Sequence, residues 1–316
     1  MKGINSQTKI FLTGHNGMVG SACLKQLRLS GYNNVIIRNS KELDLTTEVD
    51  VFKFIAEQKP EIIINAAAKV GGILANNNYP YEFLIENMAI QNNLIRAAHD
   101  NNIQKFIFLG SSCIYPKFSK QPIKETYLLD GALEETNQWY AIAKISGVKL
   151  IEALRNQYNR DYIALMPTNL YGPNDNYNLE NSHVIPALIR KFHDAKTNNY
   201  KSVELWGDGS PKREFLHVND LAAAIIHVLE SDMKDHIYNV GSGYETSIKD
   251  LANTIKDIVG FKGDILWDVG KPNGTPRKLL DSTKLIDENW KAKISLEDGL
   301  NETYKNYKVN FEKLRK

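Results

Sequence analysis

Tyr140 and Lys144 stand four residues apart in Tyr140-Ala141-Ile142-Ala143-Lys144, a spacing that puts a phenol and an ammonium on one helix face, one turn apart. A neighbouring cation favours the phenolate. The pair therefore predicts a tyrosine whose pKa is drawn down from about 10, suited to moving a proton to or from a carbonyl oxygen. Alone, YxxxK is better explained by chance on an exposed helix. Two further features change the balance. Thr13-Gly14-His15-Asn16-Gly17-Met18-Val19-Gly20 places three glycines three apart between an apolar β-branched run and a helical stretch, and Gly110-Ser111-Ser112-Cys113 closes another apolar run with Ser111 as a hydroxyl donor. Glycines at a strand-to-helix turn let the backbone approach a pyrophosphate, and the helix N-terminus offers its N–H groups to the anion.

The end of the second strand should face an adenosine ribose, where an acid selects NAD and positive groups accommodate the 2′-phosphate of NADP. The segment there is Arg38-Asn39-Ser40-Lys41, with no acid until Glu42, so NADP is expected. The competing reading is a solvated charge cluster in a loop. Only two cysteines occur, Cys23 and Cys113, which excludes a disulfide framework and a paired-cysteine zinc site. Cys23 lies on the apolar stripe Val19, Cys23, Leu27 and is expected in the core. His15, His99, His193, His217, His227 and His236 show no metal-ligand spacing, and no metal is expected.

These groups need a scaffold. The 316 residues, 42% hydrophobic and 24% charged, suffice for about two globular domains. Lys and Arg number 39 against 37 Asp and Glu, so no long-range field argues for nucleic acid or an anionic membrane, and neither is expected as a partner. The start MKGINSQTKIFLTG lacks a signal-peptide pattern, and no stretch reaches the ~18 apolar residues of a membrane span, which predicts a cytoplasmic protein. From Lys9, short apolar runs (KIFLT, NVIIR, EIIINAAA, KFIFLGS, YIALMP) alternate with helical stretches at 19–29, 49–56, 87–98 and from Tyr140. That alternation predicts a doubly wound parallel α/β sheet with six strands by Pro167. After YGPNDN the strict alternation ends. The boundary is placed near Tyr171: residues 1–171 bind the cofactor, with a return segment near 219–241, and residues 172–316 form a smaller α/β substrate domain.

The combination TGxxGxxG, GSSCIYP, YxxxK and PTNLYGPND resembles the extended short-chain dehydrogenase/reductase family. Within it, AAAKVGGILANN, SSCIYPK, NSHVIPALI, REFLHV and PRKLLD are most similar to the bifunctional GDP-4-keto-6-deoxy-D-mannose 3,5-epimerase-4-reductases, over about Lys9 to Tyr304. The resemblance implies a Rossmann fold, NADPH, epimerisation at C3 and C5, reduction at C4 to GDP-L-fucose, and a homodimer in which the helices 82–98 and 140–158 pair across a two-fold axis. It implies that Ser111, Tyr140 and Lys144 are the reductase triad and that Cys113 and His183 are the epimerase acid/base pair. It carries cofactor contacts to Gly14 through Gly20, Arg38, Ser40, Lys41, Leu109, Gly110, Ser111, Ser112, Lys144, Pro167, Thr168, Asn169, Leu170 and His183. Substrate contacts fall to Asn169, Lys191, Trp206, Arg213, Asn273 and Lys278.

Without the resemblance, His183 reads as a structural histidine ahead of a helix. Cys113 lies two residues past Ser111, which on an extended backbone points both side chains to one side. Its use in catalysis calls for a thiol pKa below the ordinary value near 8.5. The pattern departs from the bacterial one at Asn16 and Ser40, where arginines hold the 2′-phosphate, and at Lys191 and Asn273, where arginine and aspartate are usual. A C4 reductase of a related GDP-4-keto sugar, such as a heptose, without epimerase activity stays open, whereas a non-catalytic cofactor-binding regulator is disfavoured, since it needs no intact Tyr140/Lys144 pair. A GDP-mannose dehydratase is disfavoured, since its glutamate is expected where Cys113 stands.

Overall fold

The computed structural model describes residues 4–179, 181–271 and 273–311. The first three residues of the N-terminal stretch and the last five of the C-terminal unit lie outside the described residues, as do the side chains of Ile73 and Leu74 in the AAAKVGGILANN motif. The strands are β1 Ile10–Thr13, β2 Val35–Ile36, β3 Ile62–Asn65, β4 Lys105–Leu109, β5 Asp161–Pro167, β6 Asn169–Tyr171, β7 Ser202–Trp206, β8 Lys212–His217, β9 Ile237–Val240, β10 Glu245–Ser247, β11 Asp264–Asp268 and β12 Arg277–Lys278. The helices are α1 Met18–Leu29, α2 Glu48–Gln58, α3 Ile73–Asn78, α4 Pro80–Asp100, α5 Gln138–Tyr158, α6 Val184–Thr197, α7 Val218–Glu230, α8 Ile248–Val259, α9 Thr283–Asp287 and α10 Leu296–Asn310.

A parallel sheet in the order β2-β1-β3-β4-β5-β9 forms the centre of the first layer structure. The doubly wound α/β expectation is therefore borne out, with one correction. Five strands, not six, precede the end of β5, and the sixth is β9, which returns after α7. The sheet is built from strands with almost no polar residue because helices cover both faces. The pleat sorts the side chains: Leu12, Ile62, Ile64, Ile107 and Leu165 pack with Cys23 and Leu27 of α1 and with Leu221, Ile225 and Val228 of α7. Phe11, Ile63, Phe106, Phe108 and Ala164 pack on the other face with Val51, Leu94, Ile95, Val148 and Ile151 of α2, α4 and α5. Cys23 is accordingly a core residue, as its stripe requires.

Two elements differ in extent from the sequence reading. The NVIIR run keeps only Val35 and Ile36 as strand at the sheet edge. The helix expected over 87–98 begins at Pro80, where proline's fixed φ suits the first turn.

After β5 the chain builds a smaller α/β unit. β8 is flanked by antiparallel β10 and parallel β12 and also takes β6, while β7 and β11 pair separately. Their apolar faces enclose a third core with α6, α8 and α10, through Ile189, Phe192, Val203, Leu251, Ile255, Tyr304 and Tyr307. Among the described residues no helix is long and apolar enough to cross a membrane.

Candidate functional site

In the sheet the strand order reverses about β1 and β3, and ligands of such sheets bind beyond the C-terminal strand ends at that point. The glycine turn sits there. Gly14 takes φ +68° and abuts the next strand so closely that an added Cβ would lie 2.6 Å from the Ala66 carbonyl oxygen; a Cβ on Gly20 would lie 2.1 Å from that of Gly14. The turn closes through Gly17 N–H to the Gly14 carbonyl at 2.9 Å, and α1 then starts with no side-chain cap and no acid in its first turn. Its N–H groups are thus left to an anion, and among the described residues the buried His15 Nδ1 has no hydrogen-bond partner. The turn fits a dinucleotide pyrophosphate. Leu109 ends β4 and Gly110, Ser111 and Ser112 follow it, while Pro167, Thr168, Asn169 and Leu170 run from the end of β5 into β6, so these predicted segments share the same end of the sheet. At Gly110 the end of the Met166 side chain fills the space of an added Cβ, its Cε lying 2.3 Å from that position.

At the edge of the sheet, Arg38, Ser40 and Lys41 are exposed on a turn tied by Asn39 Oδ1, which accepts from Lys41 N and Glu42 N at 2.9 and 3.2 Å. The Arg38 guanidinium lies 5.5 Å from the Phe54 ring centroid.

The helix α5 carries Tyr140 and Lys144. Lys144 is buried, donates from Nζ to the Leu109 carbonyl at 2.8 Å, and stands 4.8 Å and 5.6 Å from the Phe108 and Tyr140 ring centroids. Burial pulls its pKa down to about 8, against the opposing charge of Cys113. The expected lowering of the Tyr140 pKa is overturned: burial first, then the Cys113 charge, raises it. The ammonium is held at the face of the ring and at the strand carbonyl, and the phenol stays firmly protonated.

Ser111 is extended and caps a short 3-10 turn over Ser112–Ile114. Cys113 therefore does not follow Ser111 on an extended strand, as the spacing argument assumed. The two are joined locally, because Ser111 Oγ accepts from Cys113 N at 3.3 Å. The Cys113 thiol is pushed up by burial, while Lys278, the Ser111 hydroxyl and Lys144 each pull it down. The required net lowering is not found. Cys113 nevertheless shares one electrostatic neighbourhood with Tyr140, Lys144 and Lys278, each of which responds to its charge.

His183 is the N-cap residue of α6 and makes no capping hydrogen bond. The residue as a whole is exposed, but desolvation by the protein around the ring lowers its imidazole pKa, which favours the neutral form. The segment before it is seated on Gly72, whose N–H donates to the Asn181 carbonyl at 2.9 Å and whose added Cβ would lie 2.9 Å from the Ser182 carbonyl oxygen.

The remaining positions fall on the smaller unit. Arg213 on β8 and Lys278 on β12 are direct register partners, and burial lowers the pKa of both. Lys191 of α6 donates to the Glu204 carbonyl of β7 at 3.0 Å, two residues before Trp206, which is 64% exposed and faces Lys271 at 5.6 Å. Asn169 donates from Nδ2 to the Glu214 carbonyl at 2.9 Å. The Asn273 amide oxygen accepts from Asp208 N at 2.9 Å, so it clasps two loops.

Sequence reasoning did not single out Glu134. It accepts from Lys117 and from Thr275 Oγ1 at 3.2 Å, and its charge acts on both Arg213 and Lys278. Lys117 ends the SSCIYPK motif, which was the available signal. Among the described residues, no group of three or more His, Cys, Asp or Glu could hold a metal ion.

A family model described as the NAD dependent epimerase/dehydratase family matches residues 10–241. The chain is 54% identical to a putative GDP-L-fucose synthase 2 of Arabidopsis thaliana, covering 97% of this chain and 94% of that protein. It is 51% identical to the GDP-L-fucose synthase of Escherichia coli strain K12, covering 98% and 99%. Among solved structures, a GDP-mannoheptose C4 reductase from Campylobacter jejuni with NADP bound is 37% identical and superposes with a TM-score of 0.89, over 97% of this chain and 100% of that one.

Proposed function

The chain belongs to the NAD dependent epimerase/dehydratase family, and we propose that within it the protein converts GDP-4-keto-6-deoxy-D-mannose to GDP-L-fucose, by epimerisation at C3 and C5 and NADPH-dependent reduction at C4. The observation that carries this reading is that Cys113 bonds through its N–H to Ser111 Oγ, just past the strand end whose Leu109 carbonyl holds Lys144 Nζ, with its thiol within electrostatic reach of Lys144, Lys278 and Tyr140. A reductase needs the serine, tyrosine and lysine; a thiol beside them is needed when protons also move at carbon.

A 4-keto group acidifies the hydrogens at both C3 and C5, since its oxygen can hold enolate charge, and one site can therefore serve both epimerisations. The Ser111 and Tyr140 hydroxyls donate to that oxygen as an oxyanion hole does. Each inversion takes a proton from one face and returns one to the other. The resting pair of a Cys113 thiol and a neutral His183 imidazole contains one acid and one base, the complement such a step requires. When Cys113 carries negative charge, Lys278 and Lys144 stabilise it. The turn from Gly14 to Gly20 and the segments 109–112 and 167–170 would hold NADPH, which would supply hydride for C4. Tyr140, kept protonated by its burial, gives the ketone oxygen its proton, and Lys144 fixes the end of β4 beneath it through Leu109. Arg213 and Lys278 supply the paired cations that a nucleoside diphosphate needs, with Lys191 and Trp206 alongside. His183 and Lys144 also border the nicotinamide in this reading.

The division of labour we propose follows the chain: residues 1–171 with a return over 219–241 hold the cofactor, and 172–316 hold the nucleotide sugar. The protein works in the cytoplasm as a homodimer. The support for the dimer is that α4 packs along α5 while Tyr81, Ile85 and Ile142 on these helices are 70%, 44% and 40% exposed.

A second reading, C4 reduction of a GDP-4-keto heptose, has the reductase likeness in its favour. Incubation with NADPH and a panel of GDP-4-keto sugars, with NMR of the products, decides between them. Formation of GDP-L-fucose is expected from the 6-deoxymannose substrate. Turnover confined to a heptose without inversion at C3 or C5 would replace the first reading by the second.

A further inference from the structure

Glu214 is wholly buried on β8, between Arg213 and Phe215, and the reaction proposed above makes no use of its carboxylate. Its two oxygens are spent on main-chain donors. Oε1 accepts from Gly243 N at 2.8 Å, and Oε2 accepts from Leu280 N at 3.0 Å. Gly243 lies two residues before β10, and Leu280 two residues after β12, the two strands that flank β8. The β8–β12 ladder pairs Lys212 with Arg277 and Arg213 with Lys278, and Glu214 continues it through its side chain one step beyond. The chain is moulded to the carboxylate, since a Cβ on Gly241 would lie 2.3 Å from Oε1. The Glu214 carbonyl also accepts from Asn169 Nδ2 at 2.9 Å and Thr168 Oγ1 at 3.3 Å, tying the end of β5 to the same point.

We infer that Glu214 is a positioning residue, whose carboxylate clamps β12 and the loop before β10 so that Lys278 and Arg213 present their cations together to the nucleotide sugar. This rests on the reading that those cations bind the diphosphate. Two N–H donors aimed at one side chain need two acceptor atoms. A carboxylate has them, whereas a glutamine amide offers one acceptor and turns its NH₂ toward the other donor. Burial raises the Glu214 pKa while hydrogen bonds from Leu280, Gly243, Thr168 and Ser242 oppose the rise, so the clamp is part of what offsets the cost of burying the acid.

The test uses the full-length protein and its Glu214→Gln, Glu214→Asp, Lys278→Met and double Glu214→Gln/Lys278→Met variants. Binding of GDP is measured by titration calorimetry, and turnover of GDP-4-keto-6-deoxy-D-mannose is followed by kcat and KM. For Glu214→Gln the Kd for GDP and the sugar KM should rise about tenfold or more, with KM for NADPH within about threefold of wild type. Glu214→Asp, which keeps both acceptors, should recover part of the loss. In the Lys278→Met background the glutamine change should add little, because the clamp acts by bringing Lys278 on β12 up to Arg213 on β8. A merely structural role would instead give additive losses in the two backgrounds, or equal losses for both ligands, and would overturn the inference. So would failure of both the Gln and Asp variants to fold. If Lys278→Met itself leaves GDP affinity unchanged, the functional reading of Lys278 fails rather than the clamp alone.

Discussion

Lys144 and Leu109 meet through a 2.8 Å hydrogen bond from the Nζ ammonium to the strand-end carbonyl, which binds the middle of α5 to the end of β4. This contact places the catalytic helix relative to the cofactor edge of the sheet. It also explains why the cation meets the tyrosine at the ring, 5.6 Å from its centroid.

Tyr140 remains a protonated phenol, the form required of the acid in the proposed reductive step. Tyr140→Phe keeps the ring and its edge contact with Phe83 while removing the proton, so reductase kcat should fall about 10²-fold or more. GDP affinity should stay within about threefold. Near-wild-type NADPH oxidation by this variant would remove Tyr140 from the role.

The reductase pH profile should bend downward near 8, where Lys144 loses its proton. The direction follows from burial, which disfavours the ammonium. The cation is present below that pH and lost above it, far earlier than for a free lysine at about 10.4. A profile of kcat/KM against pH that stays flat to pH values typical of free lysine would contradict the assignment.

Cofactor choice should favour NADPH over NADH in kcat/KM, by a modest factor. Arg38 and Lys41 are exposed at the end of β2, with no acid at the strand end to bind a ribose hydroxyl. Arg38→Ala together with Lys41→Ala should raise KM for NADPH by about tenfold and leave NADH nearly unchanged, since one or two exposed cations are removed from a phosphate contact. Equal turnover of wild-type enzyme with both cofactors would refute the preference.

The parallel sheet was legible in the sequence because its strands are buried on both faces and read as unbroken apolar runs, IFLT, IIIN and KFIFL. The glycine turn and the YxxxK helix were legible for a related reason, since backbone approach and helical spacing leave local signatures. What lay beyond local spacing was missed. β9 joins β5 only because the chain comes back from Ile237, and the counting of six strands by Pro167 could not see it. The pKa of Tyr140 went the opposite way because its burial and the neighbouring Cys113 charge, both tertiary properties, raise it, and helical spacing to Lys144 reveals neither. Glu214 looked like any acid in REFLHV until its two main-chain donors, 29 and 66 residues away in the chain, were in view.

The association of α4 and α5 with a second copy should be measurable directly. These helices expose Tyr81, Ile85 and Ile142, and burying such side chains contributes roughly 25 cal/mol per Å² of apolar surface. Light scattering at micromolar concentration should give the mass of a dimer. Ile85→Lys combined with Ile142→Lys should give monomers that still bind GDP. A wild-type monomer would dismiss the pairing.

Proton exchange at carbon separates the epimerase from the reductase, because Cys113 and His183 are needed only if C3 and C5 lose their hydrogens before C4 is reduced. In heavy water, wild-type enzyme should introduce deuterium at both carbons of the product. Cys113→Ser keeps the size of the side chain but replaces the thiol with a hydroxyl that is far harder to ionise, and the stabilising charges of Lys278 and Lys144 cannot bridge that difference. Incorporation should fall by about 10²-fold or more, the range expected when a proton-transfer group is lost. Slow reduction of the ketone by Ser111, Tyr140 and Lys144 should persist. His183→Gln removes the opposite member of the pair and should block completion of the inversion while NADPH still binds. If wild-type product carries no solvent deuterium at either carbon, the thiol has no proton to move there, and the protein is a reductase that leaves the stereochemistry at C3 and C5 as it finds it.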